Sequence, residues 1–361
     1  MQTYPVAHID LAALRHNLSR VKQLAPDSKV MSVIKANAYG HGDVETAQAL
    51  DESDAFAVAR LSEGLRLRQA GIQKKIVIFE SVNSAEQLQI AAEYDLSLVF
   101  HNSHQLSLLL TTDLKKPLQF CWVMVETGMH RLGIMGSALS AALALIKASQ
   151  KVVGEVGLMS HFANADSLDD ARNQQQLEKL QQANEQHDMP VSMANSAAII
   201  SLPDSHQQWL RPGIMLYGSS PFENKTADEL DLKPVMKLVA QLISIEQLKP
   251  GDQVGYGGDW KAITAMKVGT VNIGYGDGYS RQLSNNSTVS IHNQLVNVLG
   301  RVSMDMICID LSTMSDAKIG DEVTLWGNET QSVDSVAKQA NTISYELLCQ
   351  LNQRVTRQYH G

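Results

Sequence analysis

The chain up to Leu232 repeats one pattern, a short apolar run followed by a stretch with helical periodicity, and this repeat restricts the fold more than any other sequence feature. The apolar runs begin near Val30, Ala55, Ile76, Leu96, Leu118, Val152, Val191 and Trp209. Between most of them lie the amphipathic segments Val44–Leu50, Leu61–Ala70, Glu86–Glu93, Leu139–Ser149 and Asp169–Gln186. Eight strand–helix units in about 230 residues match a (β/α)8 barrel. A doubly wound sheet is the alternative, but no Gly-x-Gly-x-x-Gly motif follows the first run.

Beyond Lys233 the sequence changes character. Twelve of the 23 glycines lie there, and glycine, proline and asparagine separate short apolar runs that are typical of strands. These runs are Lys237–Leu248, Met266–Ile273, Leu295–Leu299, Met306–Leu311 and Glu322–Trp326, and one late helix is predicted at Ser332–Ala340. The sequence therefore predicts an α/β fold: an N-terminal TIM-type (β/α)8 barrel over residues 1–232, followed by a mostly β C-terminal domain over residues 233–361.

Composition and charge exclude several classes of protein. The net charge of −8 disfavours nucleic-acid and membrane-surface partners. Cys121, Cys308 and Cys349 are scattered and form no Cys-x-x-Cys pair, so neither a disulfide framework nor a zinc ribbon is expected, and no metal site is predicted. The N-terminal segment has neither a basic region nor an uninterrupted apolar region typical of signal peptides, and no apolar run reaches the ~18 residues of a membrane span. We therefore expect a cytoplasmic protein.

Active sites of such barrels lie at the carboxyl ends of the strands. That rule selects Lys35, Arg60, His101, Glu126, His161, Asn195-Ser196 and Arg211-Pro-Gly213. Lys35 follows the most apolar part of the first strand, where desolvation would lower its pKa and free the neutral amine for a Schiff base. The alternative is a strand-end lysine whose amine extends into solvent.

The segment Lys35-Ala-Asn-Ala-Tyr39-Gly-His-Gly resembles the pyridoxal-phosphate lysine motif of alanine racemases. Further segments resemble motifs of that family, in the family's order and over nearly the whole chain: Val125-Glu-Thr-Gly-Met-His-Arg131-Leu-Gly, Ser160-His161-Phe-Ala, Asn195-Ser196-Ala, Arg211-Pro-Gly213-Ile214, Val254-Gly-Tyr256-Gly-Gly, Gly274-Tyr275-Gly-Asp-Gly-Tyr-Ser-Arg281, Gly300-Arg301-Val-Ser-Met304-Asp305 and Ser344-Tyr345-Glu-Leu-Leu-Cys. The resemblance implies the same barrel-plus-β fold and pyridoxal 5'-phosphate as cofactor.

By this resemblance, Lys35 binds the cofactor and transfers a proton on one face of the substrate Cα, and Tyr256 transfers one on the other. Arg211 is implied as the donor to the pyridine nitrogen, and His161 as linked to the tyrosine and the ring. A guanidinium keeps its proton, so the ring nitrogen would stay an acceptor and the cofactor a weaker electron sink, which disfavours side reactions. The implied phosphate contacts are Tyr39, Ser196, Gly213, Ile214 and Tyr345.

The resemblance also implies how substrate enters and binds. Arg131 and the backbone of Met304 would bind its carboxylate, because a planar guanidinium suits that group. The residues that match the substrate entrance are Tyr275, Arg281, Arg301, Asp166 and Ile343. In the family the tyrosine comes from the partner chain, so a homodimer with composite active sites is implied.

One position departs from the family pattern. Many members carry a lysine two residues before the acidic-Thr-Gly-Met run, and its carbamate orients the arginine that binds substrate. Here that position is Met124, which cannot be carbamylated, and the acidic residue is Glu126. Our hypothesis is that a neighbouring side chain or a bound anion such as chloride takes the place of the carbamate beside Arg131.

The resemblance implies an alanine racemase that interconverts L- and D-alanine and supplies D-alanine for peptidoglycan. A broad-specificity or serine racemase is an alternative with the same chemistry. A decarboxylase of the same architecture is disfavoured, because a carboxylate would be expected where Arg211 stands. A non-catalytic pyridoxal-phosphate homeostasis protein belongs to a different class, and the second domain with Tyr256 counts against it.

Overall fold

The computed structural model describes residues 4–285 and 287–361. In chain order, the strands of its first part are β1 (Val6–Asp10), β2 (Lys29–Val33), β3 (Ala55–Val58), β4 (Lys75–Ile78), β5 (Leu96–Phe100), β6 (Leu118–Glu126), β7 (Ile134–Met135), β8 (Val152–Met159), β9 (Val191–Ser192) and β10 (Trp209–Leu210). Eight of these described strands form a parallel ring in the order β2-β3-β4-β5-β6-β8-β9-β10, and β10 pairs with β2 to close it. The predicted barrel is confirmed, and each predicted apolar run forms one of its strands.

Helices follow most barrel strands and cover the outside of the ring. They are α1 (Leu11–Leu24), α3 (Asp43–Ala49), α4 (Leu61–Gln69), α5 (Ala85–Glu93), α6 (Ser103–Thr111), α7 (Gly136–Ser149), α8 (Ala171–Asn184) and α9 (Ser196–Ser201), with a short left-handed turn, α2 (Lys35–Tyr39), directly after β2. Asp10, Ser84, Asn102, Asp170 and Asn195 each cap a helix N-terminus by accepting a backbone N–H. No helix in the described part of the chain has the length and apolar composition needed to cross a bilayer.

The second part of the chain is mostly β, as predicted. Its strands are β11 (Met236–Leu248), β12 (Gln253–Val254), β13 (Trp260–Lys261), β14 (Met266–Val271), β15 (Thr288–Ile291), β16 (Gln294–Leu299), β17 (Ile307–Asp310), β18 (Glu322–Trp326) and β19 (Thr356–His360). The main sheet has the order β14-β17-β16-β15-β18-β11-β1-β19, and β14 also pairs with β11. Short 3₁₀ helices lie at Pro203–Ser205, Ile214–Tyr217, Asp228–Leu230, Tyr256–Gly258, Tyr275–Asp277 and Arg281–Leu283.

Two features of this second part of the chain differ from the sequence-based expectation. Strand β1 lies in the main sheet, pairing antiparallel with β11 and parallel with β19, whereas the sequence predicts that residues before 233 belong to the barrel. The predicted late helix is present as α10 (Val333–Gln339), but a second helix, α11 (Ser344–Gln350), follows it. The division at residue 232 stays a prediction.

Candidate active site

A cavity of about 510 Å³ opens at the carboxyl ends of the barrel strands. Lys35 follows β2, His161 follows β8 and Arg211 follows β10, so three strand ends bring these side chains to one place. The charged residues lining the cavity are three cations and one carboxylate: Lys35, Arg131, Arg211 and Glu80. This excess of positive charge favours an anionic ligand.

The backbone directly after Lys35 has an unusual conformation. Ala36, Asn37, Ala38 and Tyr39 all have φ between 52° and 55°, in the left-handed region that residues with a Cβ rarely adopt. His41 supports the end of this turn, because its Nδ1 donates to the carbonyl oxygens of Ala38 at 3.0 Å and Tyr39 at 2.9 Å. The turn directs the Lys35 and Tyr39 side chains into the same cavity.

The surroundings of Lys35 lower the pKa of its amine. Burial, and after it the guanidinium of Arg131, holds the pKa of Lys35 below its ordinary value, while the thiol of Cys349 and the carboxylates of Glu63 and Glu80 oppose that shift. A lysine with a lowered pKa exposes more of its nucleophilic form at neutral pH.

Arg211 is buried, and its guanidinium donates several hydrogen bonds. Its Nη1 donates to Ser192 Oγ at 2.8 Å, and its Nη2 donates to the carbonyl oxygens of Ser160 and Met193 and to His161 Nδ1 at 3.2 Å. The arginine ion pairs found among the described residues do not include Arg211. Burial lowers the pKa of Arg211 to about 9, so it remains a cation at neutral pH.

His161 faces the cavity as a neutral imidazole. Burial, then the charges of Arg211, Arg131 and Lys35, lower its pKa to about 3. Because Nδ1 accepts a hydrogen bond from Arg211, the ring proton must lie on Nε2. That tautomer presents an N–H donor on the side of the ring away from Arg211.

Hydroxyl groups and backbone amides also line the cavity. Ser196 Oγ accepts hydrogen bonds from the N–H groups of Gly213 at 2.9 Å and Met215 at 3.3 Å, which leaves its own O–H to donate. A Cβ on Gly213 would lie 2.6 Å from the Tyr39 hydroxyl oxygen, so a glycine is required for this approach. Tyr345 lies beside Tyr39, with ring centroids 6.0 Å apart. Burial raises the pKa of both tyrosines, so both hydroxyls keep their protons and can donate to an anion.

The loop that carries Arg131 is held by Glu126. The Glu126 carboxylate accepts hydrogen bonds from the backbone N–H groups of Gly128 and His130. Met124 lines the cavity on the same strand, and Arg131, like Arg211, is absent from the ion pairs found among the described residues. The hypothesis of a substitute anion beside Arg131 stays a prediction.

Nine of the predicted site residues line this cavity, and seven do not. Those in the cavity are Lys35, Tyr39, Arg131, His161, Ser196, Arg211, Gly213, Ile214 and Tyr345. Those outside it are Tyr256, Met304, Tyr275, Arg281, Arg301, Asp166 and Ile343. Within the chain, the two residues predicted to transfer protons therefore do not meet, and the Tyr256 side chain is 71% exposed.

Several of the outside residues share one surface of the second domain. Arg301 pairs with Asp259, three residues after Tyr256. The backbone N–H of Tyr275 donates to the carbonyl oxygen of Ser303 at 3.0 Å, which places the Tyr275 segment beside Met304. Tyr256, Tyr275 and Met304 are all exposed. The side chains on this surface do not line the cavity of their own chain.

Sequence reasoning missed three residues that the fold brings to the cavity or next to it. Glu80 follows β4 and lines the cavity, so the strand-end rule could have identified it. Cys349 lines it from α11, the helix that was not predicted. Glu63 hydrogen-bonds to the turn after Lys35, a contact with no local sequence signal. Among the described residues there is no group of three or more His, Cys, Asp or Glu side chains that could hold a metal ion.

Comparisons with known proteins match the chain to one family over nearly its full length. A family model described as "Alanine racemase, N-terminal domain" matches residues 9–221, and one described as "Alanine racemase, C-terminal domain" matches residues 235–359. An alanine racemase of Nitrosococcus oceani is 46% identical over 354 residues, which are 98% of this chain and 99% of the relative. The crystal structure of the biosynthetic alanine racemase from Pseudomonas aeruginosa is 42% identical, with a TM-score of 0.94 over 99% of this chain and 100% of that one. The alanine racemase from Acinetobacter baumannii is 41% identical, with a TM-score of 0.91 over the same shares.

Proposed function

The chain belongs to the alanine racemase family, and from that premise we propose that it interconverts L-alanine and D-alanine and so supplies D-alanine for peptidoglycan. The observation that carries the proposal is the cavity at the barrel strand ends. It combines the Lys35 amine with a buried Arg211 cation and a neutral His161 imidazole.

Pyridoxal 5'-phosphate fits the residues that line the cavity. The three cations favour an anionic ligand, and the hydroxyls of Tyr39, Ser196 and Tyr345, with the backbone at Gly213 and Ile214, supply donors for a phosphate. Arg211 offers the pyridine nitrogen a donor that keeps its own proton. When bound, the cofactor supplies the electron sink that makes the proton on Cα removable.

The protein residues then divide the proton transfer between two faces. Lys35 binds the cofactor and moves the proton on one face of Cα, and Tyr256 moves it on the other. Arg131 binds the substrate carboxylate from the side of the cavity, together with the backbone of Met304. His161 remains a neutral imidazole that accepts a hydrogen bond from Arg211 Nη2, so it helps to hold the guanidinium in place without neutralising its charge.

Tyr256 would enter the site from a partner chain. It is exposed on the second domain together with Tyr275 and Met304, away from the cavity of its own barrel. A head-to-tail homodimer would bring this surface over the cavity of the other subunit and make two composite sites. Arg281, Arg301, Asp166 and Ile343 would then border the entrance for substrate.

The test is a circular-dichroism time course of L-alanine in D₂O with protein loaded with pyridoxal phosphate, followed by measurement of deuterium at Cα. We expect the optical signal to decay to zero, with deuterium in both enantiomers, because each face exchanges its proton with solvent. L-Serine in parallel measures how strictly the cavity selects alanine.

Other outcomes would change the proposal in defined ways. Exchange of deuterium with retained chirality would mean that Lys35 acts without Tyr256. Bound cofactor without any exchange would contradict racemisation and favour the non-catalytic class of pyridoxal-phosphate proteins.

A further inference from the structure

The carboxylate of Glu63 binds the backbone at two neighbouring strand ends. Its Oε1 accepts a hydrogen bond from the N–H of Ala36 at 2.7 Å, and its Oε2 accepts from Ala59 at 2.8 Å and Arg60 at 2.9 Å. Ala36 directly follows Lys35 after β2, whereas Ala59 and Arg60 follow β3. One half-buried side chain, the third residue of α4, therefore ties together two strand ends at the rim of the cavity.

The bond to Ala36 restrains Lys35 itself. The Lys35 carbonyl and the Ala36 N–H belong to one planar peptide unit, so fixing the direction of that N–H fixes the rotation of the peptide that follows the Lys35 Cα. Ala36 has φ of 54° and ψ of 49°, a conformation that the local sequence does not favour and that needs an external partner to persist. Glu63 provides that partner at the start of the turn, as His41 does at its end.

Resting on the proposed racemase function, we propose that Glu63 is a positioning residue, which holds the Lys35–Ala36 peptide so that the Lys35 amine is aligned for proton transfer. Glu63 itself is absent from the cavity lining, so it acts through Lys35 rather than on the substrate.

The charge of Glu63 gives the proposal a second, measurable consequence. The charged or titratable groups that act on the Lys35 amine are Arg131, Cys349, Glu63 and Glu80, and His161 and Arg211 line the same cavity. The Glu63 carboxylate raises the pKa of Lys35 against the effects of burial and Arg131. Loss of the negative charge should therefore lower the pKa of Lys35 further.

The experiment compares Glu63→Gln and Glu63→Asp with Glu86→Gln. Glu86 lies in the first turn of α5 and is exposed, so its substitution removes an equivalent helix-terminal charge without touching the site. In the holoenzyme we expect Glu63→Gln to lower kcat for L-alanine by about 10- to 100-fold, the usual cost of a small misplacement, while KM changes much less. Glu63→Asp should recover part of kcat, because it restores the charge at a shorter reach.

A second readout does not depend on racemisation. On the full-length chain freed of cofactor, acetic anhydride labelling of Lys35 across pH, followed by mass spectrometry, gives the midpoint of its titration. Glu63→Gln should move that midpoint to lower pH, and Glu63→Asp and Glu86→Gln should leave it near the wild-type position. The midpoint reports the charge contact between Glu63 and Lys35, whereas a merely structural role of Glu63 would lower thermal stability and leave kcat of the folded enzyme near the wild-type value.

The outcomes separate this inference from the proposed function. An inactive wild-type enzyme overturns the racemase function, whereas an active wild type with unchanged kcat and midpoint in Glu63→Gln overturns only the role of Glu63. If Glu63→Gln does not fold, amide hydrogen exchange of wild-type Ala36 decides, because this residue is exposed and its N–H is protected only if Glu63 holds it. Fast exchange at Ala36 would overturn the inference.

Discussion

At the scale of single residues, Arg211 determines much of the electrostatics of the cavity. It is a buried cation that satisfies its N–H groups with hydroxyl, carbonyl and imidazole acceptors instead of a carboxylate. Its charge is therefore not neutralised locally, and it acts on its neighbours. The pKa of His161 is low because of burial first and the Arg211 charge second.

Replacement of Arg211 by glutamine should raise the pKa of His161. The charge that disfavours the imidazolium is lost, but burial, the larger cause, remains, so the pKa should rise above about 3 and stay below the ordinary value of 6.5. Histidine NMR signals followed across pH in cofactor-free protein measure the change. Arg281→Gln is the control, since Arg281 is exposed and lies outside the cavity. An unchanged His161 titration would contradict the assigned contact.

At the scale of elements, the left-handed turn α2 concentrates backbone strain next to Lys35. Left-handed residues with a Cβ cost roughly 1–2 kcal/mol each, and Ala36 to Tyr39 are four in succession. The strain is balanced by contacts from outside the turn, with Glu63 at its start and His41 at its end. Below the turn, Tyr217 stacks on both Tyr39 and His41, with ring centroids 4.7 Å apart in each pair.

Ala36→Gly should therefore increase the free energy of unfolding by up to about 1 kcal/mol. The reason is that the relief of left-handed strain exceeds the entropy that glycine adds to the unfolded chain. Ala36 is exposed, so no buried methyl group is lost. Urea unfolding measures the change. Ala144→Gly is the matched control, since Ala144 is an exposed residue inside the right-handed helix α7, where the same substitution should cost about 1 kcal/mol. A loss of equal size at both positions would contradict the left-handed turn.

At the scale of the whole molecule, the free energy of unfolding should decrease as the pH is lowered, because a buried histidine stays neutral in the folded protein. Burial lowers the pKa of His41 to about 4, against an ordinary value of 6.5. For a base with a lowered pKa, the contribution to stability is complete above about pH 6.5 and is lost as pH falls toward about 4. At about 1.4 kcal/mol per pH unit, His41 alone accounts for a loss of about 3 kcal/mol.

Urea unfolding of cofactor-free protein at about pH 7 and about pH 5 checks this value, with an expected decrease of about 2 kcal/mol from His41. His41→Asn is the comparison, because its side-chain amide places an N–H donor near the position of Nδ1 and does not titrate. Its smaller dependence on pH gives the share of His41. An identical slope in both proteins would show that His41 is not the responsible group.

Mixed dimers test the proposal that Lys35 and Tyr256 act together across the interface of a homodimer. In a purified dimer with Lys35→Ala in one chain and Tyr256→Phe in the other, a composite arrangement leaves one of the two sites intact, so we expect about half of the wild-type kcat per dimer. With both substitutions in the same chain and a wild-type partner, both composite sites are damaged and activity should be nearly lost. The reverse pattern would mean that Lys35 and Tyr256 act within one chain.

The sequence by itself determined the barrel, the mostly β second domain and the position of Lys35 at a strand end. Apolar period, glycine density and the residues after each apolar run are local properties, and eight such runs became the eight strands of the ring. The tertiary structure alone decided which distant residues meet. Strand β1 pairs with β11, Glu63 holds the backbone of Ala36, and Cys349 and Glu80 line the cavity that contains Lys35. Such contacts depend on packing between segments far apart in the chain, and no local pattern encodes their partners.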